Sequence, residues 1–132
     1  MKKRNAVKSL SRPKDQRKAL AKSLMTGLIE KKEITTTLAK AKFLKSKMER
    51  QVSLAIKGLA GSSEKLAKTR LLKKNLCQKA VRELFLIAEV AKERKGGYLR
   101  IIRLPFRKSD AAQMAKVQWV DEVKVEEKKA KK

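Results

Sequence analysis

Gly96-Gly97-Tyr98-Leu99-Arg100-Ile101-Ile102-Arg103-Leu104 and, after residues 105–113, Met114-Ala115-Lys116-Val117-Gln118-Trp119-Val120 are the two runs that decide the fold. Both are rich in β-branched and aromatic residues. The second alternates Ala115, Val117 and Trp119 against Lys116 and Gln118, which is the two-residue period of a half-buried strand. Joined by a loop from Pro105 to Ala112, the two can pair as a hairpin. A third short candidate, Glu33-Ile34-Thr35-Thr36-Thr37, lies far upstream and hands over to a helix with Thr36 or Thr37 as its cap.

Between these strands the period is helical. Ala21, Leu24 and Leu28, beside Leu20, Met25 and Ile29, mark a helix opening at Asp15, just after Pro13. Leu38, Ala41, Leu44, Met48, Val52, Ala55, Ile56 and Leu59 mark the buried stripe of the longest helix, which Gly58 and Gly61 end. Lys40, Lys42, Lys45 and Lys47 fall mostly off that stripe. A shorter helix runs from Ser62 to about Lys74. Asn75 and Gln78 then have capping-box spacing at the head of another helix, whose Leu76, Ala80, Val81, Leu84, Phe85, Ala88 and Ala91 repeat at three and four until Gly96-Gly97. The expected architecture is α+β: three to four helices packed on a small mixed or antiparallel sheet. One domain over residues 15–120 is expected, with a basic extended N-terminal arm over 1–14 and a charged, disordered C-terminal tail over 121–132.

Charge then narrows the function. The 132 residues carry 37 Lys or Arg against 13 Asp or Glu, a net +24, with no histidine. Spread over a sphere of about 20 Å radius in physiological salt, such a charge has a self-energy of roughly 15 to 20 kcal/mol. Net stabilities are about 5 to 15 kcal/mol, so a polyanionic partner is the natural relief. Nucleic acid is the leading candidate, with an anionic membrane surface behind it. The longest apolar run, Leu84–Ala88, is far too short to span a bilayer, and no apolar segment follows the basic start before Arg12 and Pro13. A soluble protein of a reducing compartment is expected, because the single cysteine, Cys77, has no intramolecular partner.

Catalysis finds little footing. Without histidine, neither a Ser–His nor a Cys–His pair can be assembled, and one cysteine cannot build a thiolate zinc site. Glu30 and Glu33 lie among lysines as solvated charges, and Cys77 reads as a small packing residue. No cofactor or metal is expected. Gly96-Gly97 follows a helix rather than preceding one, so it is no phosphate-cradling fingerprint, although glycines do let a phosphate backbone come close. Phe43 and Phe85 read as core, while Tyr98 and Trp119 stay open between core and base stacking. Phe106, between Pro105 and Arg107-Lys108, suits either an apolar wedge or a protein contact.

The arm is the strongest local signal, with Lys2, Lys3, Arg4, Lys8, Arg12 and Lys14 within fourteen residues. Such cations contact phosphates, and specificity would come from the shape of a folded RNA. An architectural DNA-binding protein of the nucleoid, a membrane-surface module and an RNA-modifying enzyme are the alternatives.

Several segments also resemble one family. Leu10-Ser11-Arg12 with Arg17-Lys18-Ala19-Leu20, then Ile34-Thr35-Thr36-Thr37 running into Leu38-Ala39-Lys40-Ala41-Lys42, are followed by Gly96-Gly97-Tyr98-Leu99-Arg100-Ile101 and Asp110-Ala111-Ala112-Gln113-Met114-Ala115. In this order and at these separations they are similar to the bacterial large-subunit ribosomal protein seventeen family, over about residues 2–121. The resemblance implies a non-enzymatic, cytoplasmic component of the large ribosomal subunit. It further implies binding to 23S ribosomal RNA near the peptide exit side, beside neighbouring ribosomal proteins around the exit tunnel. The RNA-facing residues it implies are Lys2, Lys3, Arg4, Arg12, Arg17 and Lys18, then Lys40, Lys42, Tyr98, Arg100, Arg107 and Lys108. Lys8, Lys14, Gly96 and Gly97 join them from the charge and backbone arguments above. The chain departs from the family where Gln16 and the surroundings of Lys3 lack the usual arm histidines, where Ser109 replaces a glycine and where Ser23 replaces an asparagine.

Overall fold

The computed structural model describes residues 9–121. In chain order it contains α1 (Lys14–Lys31), β1 (Glu33–Thr37), α2 (Leu38–Lys57), α3 (Ser62–Lys73), α4 (Gln78–Val90), β2 (Leu99–Leu104) and β3 (Met114–Trp119). The three strands form one antiparallel sheet in the order β1-β3-β2, so the last strand lies in the centre. Ile34, Val117 and Ile101 stand opposite one another across it, as do Trp119 and Leu99. The expected hairpin and the distant third strand are both present, and the expected α+β architecture with them.

One face of the sheet closes the core. Ala115, Val117, Trp119 and Leu99 are buried there with Leu28 and Ile29 of α1, Leu44, Met48 and Val52 of α2, Leu72 of α3, and Leu84 and Ile87 of α4. The indole N–H of Trp119 donates to the carbonyl of Leu28 at 3.3 Å, so the ring's polar atom is satisfied inside. Trp119, Tyr98 and Phe85 are therefore core residues, and Cys77 packs at the core's margin. The opposite face carries Thr35, Lys116, Gln118, Arg100 and Ile102 in register.

Both expected ends of α4 are corrected. Asn75 does not open α4: the backbone N–H groups of Asn75 and Leu76 both donate to the carbonyl of Leu72 at 3.0 Å, closing α3 instead. The N-cap of α4 is Cys77, without a side-chain cap bond, and Leu76 is a buried residue of the connecting turn. Gly96-Gly97 does not stop α4 either, because Ala91 already leaves helical geometry (φ −85°, ψ 4°). Gly97 instead supplies a left-handed step (φ +69°) just before the buried Tyr98. At the end of α1 the left-handed position falls on Lys32 (φ 65°), where glycine is usual. Its ammonium donates to the carbonyl of Ile29 at 2.7 Å and faces Glu83 at 4.0 Å, while burial pulls its pKa down.

Candidate nucleic-acid interface

Of the arm, Lys2, Lys3, Arg4 and Lys8 lie outside the described residues, as does the tail beyond Asp121. The last arm residues form a tight turn. Leu10 and Ser11 both take positive φ (52°), and the N–H of Arg12 donates to the carbonyl of Ser9 at 3.1 Å. Two arginines hold this turn against α1: Arg12 Nη1 reaches the Leu10 carbonyl at 3.1 Å, and Arg17 Nη1 reaches the Arg12 carbonyl at 2.9 Å. Each guanidinium carries further N–H donors free of these bonds.

Beside the turn, α1, α2 and the end of α3 enclose an open groove of about 510 Å³. Lys14, Arg17 and Lys18 line it from α1, where they were expected as contacts. Lys47 and Arg50 line it from α2, and Lys74 with Asn75 from the α3–α4 turn. No carboxylate is among its lining residues. Lys47 was read on the cationic side of α2 but not named as a contact, and Arg50 and Lys74 were missed by sequence reasoning. A signal for the first two was available: Phe43, Lys47, Arg50 and Leu54 are spaced four, three and four, which is one stripe of α2. Lys74 had no such signal, since only tertiary packing brings it there.

The remaining expected residues lie elsewhere. Lys42 faces a second cavity, of about 340 Å³, with Thr37, Leu38 and Ala39 at the start of α2 and with Ala112 and Gln113 before β3. Lys40, one turn from that end, is half-buried. The loop ahead of β3 is built rather than slack. Arg107 clasps Asp110 through two bonds of 2.8 and 2.5 Å, the Ala111 N–H donates to the Arg107 carbonyl at 2.9 Å, and the Leu38 N–H to the Gln113 carbonyl at 2.9 Å. Much of Arg107's charge is thereby answered at home, whereas Lys108 and the ring of Phe106 stand in solvent. Arg100 projects from the sheet face turned away from the helices. Gly96 and Gly97 are exposed, with nothing within 4 Å of where a Cβ would sit. Tyr98 leaves the set of candidate contacts. It is 4% exposed and its hydroxyl donates to the Arg94 carbonyl at 3.3 Å, so no ring face is free to stack on a base.

The Arg107 clasp has a readable titration. Hydrogen bonding from Arg107, then from the Ala112 N–H, holds the Asp110 carboxyl down at about 2. A depressed carboxylate contributes fully above its unfolded value, near 3.9, and loses that contribution as pH falls through about 2. Carbon-detected NMR is expected to show Asp110 titrating near 2 and returning toward 3.9 in Arg107→Ala. A midpoint near 3.9 in the unaltered chain would contradict the clasp.

The fold and these surfaces define a small, strongly basic α+β protein whose described cations gather at a groove and along loops. Among the described residues no cluster of three potential metal ligands occurs, and no helix is long and apolar enough to cross a membrane. The family description "Ribosomal protein L17" matches residues 20–120. Relatives named large ribosomal subunit protein bL17 share 44% identity over 125 residues in Persephonella marina, covering 92% of this chain and 96% of the relative. In Chloroflexus aggregans the identity is 39% over 121 residues, covering 91% and 100%. The chain belongs to the ribosomal protein L17 family. The expectation of a non-enzymatic structural protein of the large ribosomal subunit, at work in the cytoplasm, is met by that membership.

Proposed function

We propose that the chain binds 23S ribosomal RNA within the large subunit, through its basic arm and the cationic groove that continues from it. The observation that carries this reading is the convergence of six cations on one groove with no acid among its lining residues. In a free protein such a cluster repels itself, and bound phosphates remove that repulsion. Lys40, Lys42, Arg100 and Lys108, with the open glycine turn at Gly96-Gly97, provide further contacts around the same folded body. Lys2, Lys3, Arg4 and Lys8 add four further cations suited to phosphates. The likeness of the quoted segments supports a place near the peptide exit side, beside other large-subunit proteins. Leu86 and Val90, one helical turn apart on α4 and more than half exposed, offer an apolar strip that suits such a protein neighbour.

Filter binding to a 23S transcript over a range of salt tests the reading. If about ten phosphates are neutralised, log K is expected to fall against log salt with a slope of roughly −7 to −9. A slope near zero, or equal affinity for duplex DNA, would reject it.

A further inference from the structure

The groove holds more than a phosphate requires. Its rim is cationic, but its floor is apolar: Ala21, Met25, Phe43 and Leu54 line it, with the exposed Leu71 beside them. Phosphate oxygens gain nothing from such a floor, whereas the face of a nucleobase does. Lys47 already sits over the Phe43 ring, 5.9 Å from its centroid, so cation and aromatic surface are presented together. At the floor lies Gln51, 5% exposed, whose Oε1 is buried without a hydrogen-bond partner. Gln51 falls on the buried stripe of α2, at spacings of three and four from Met48 and Ala55, where every other fully buried residue is apolar. An apolar residue there would avoid an unmet acceptor, and buried polar atoms ordinarily find a partner.

We propose that this groove captures one unstacked nucleotide of the RNA, its base entering against Gln51 and Phe43 while the flanking phosphates lie among Lys14, Arg17, Lys47 and Arg50. The amide oxygen of Gln51 is unpaired and sealed from solvent, and rotation about the side chain's soft terminal torsion turns it toward the groove, where it takes a donor. Phosphate offers only acceptors, whereas ring or exocyclic N–H groups on the edge of a base can donate. A volume of about 510 Å³ also lies within the range of sites that enclose small organic groups. An acidic peptide would satisfy the rim, but its carboxylates would bring further acceptors to an acceptor. The proposal rests on the RNA-binding reading above and adds a specific subsite to it.

Two measurements on the full chain separate the two claims. In the first, AMP, ribose 5-phosphate and inorganic phosphate are titrated into isotope-labelled protein. AMP is expected to shift the side-chain amide of Gln51 and the ring of Phe43, and the two base-free probes only the rim cations. Identical responses to all three, or a polyglutamate peptide competing as well as AMP, would overturn the capture site. In the second, Gln51→Leu is expected to bind the 23S transcript about five- to tenfold more weakly with an unchanged salt slope, since no charge is lost. That variant folds, because it replaces an unpaired interior acceptor with an apolar side chain of similar size. Undiminished affinity overturns the capture site and leaves RNA binding intact. Failure of the unaltered chain to bind the transcript, with AMP still shifting Gln51, would overturn the ribosomal RNA reading and leave the nucleotide site standing.

Discussion

Leu44→Ala is expected to lower the unfolding free energy by roughly 3 to 5 kcal/mol. Leu44 is fully buried at the middle of α2, the helix that packs against α3, α4 and the sheet. Its truncation leaves a cavity that none of these layers can close alone, so the loss is the transfer term plus the cavity term. The reserve being drawn on is small, because a chain of net +24 repels itself in the folded state when no polyanion is present. The variant is therefore expected to be largely unfolded in low salt and partly rescued by added salt, which screens the repulsion. Urea melts at two ionic strengths check this, with a fall in midpoint at constant slope as the signature. Leu86→Ala, on a side chain 60% exposed, serves as the control and is expected to change stability by less than about 0.5 kcal/mol. A similarly small change at Leu44 would mean that α2 does not carry the core.

Why α2 and β3 were legible in the sequence while the groove was not follows from the range over which each is encoded. The alternation Ala115, Val117, Trp119 is written into six consecutive residues, and all three are buried in the structure as that pattern requires. The stripe Ala41, Leu44, Met48, Val52, Ala55 is equally local. The N-terminus of α4 failed for the opposite reason. Asn75 and Gln78 have the spacing of a cap, but the Leu72 carbonyl competes for the Asn75 and Leu76 N–H groups and wins, because Leu72 and Leu76 are both drawn into the core. The turn at Leu10 and Ser11 has neither glycine nor asparagine at its left-handed positions, and the side chains that hold it belong to Arg12 and Arg17 further along the chain. In the groove, Lys14, Arg17 and Lys18 were visible as a basic run, whereas Lys47, Arg50 and Lys74 become their neighbours only through the packing of three helices. Gln51 left a trace too, as a polar residue on an apolar stripe.

Those three cations carry the other large effect. Lys47, Arg50 and Lys74 are exposed, and among the described residues none is in an ion pair, so replacing all three with Gln is expected to leave the fold intact. Leaving one phosphate without its cation lowers affinity by about 0.7 to 0.9 log unit at 0.1 M salt, counting counterion release alone. The triple variant is thus expected to bind a 23S transcript roughly 100- to 500-fold more weakly, with a salt slope shallower by about 2 to 2.7. The same change in net charge made at Lys57, Lys92 and Lys95, exposed residues that do not line the groove, provides the comparison. If affinity follows the overall field, both triples weaken alike. If phosphates sit in the groove, the first triple shows the full effect and the second only a small, long-range share, because interactions beyond about 8 to 10 Å are screened at this ionic strength. Equal effects would therefore reject the groove as the seat of binding even if the protein remained an RNA binder, and the difference between the two slopes counts the phosphates held there.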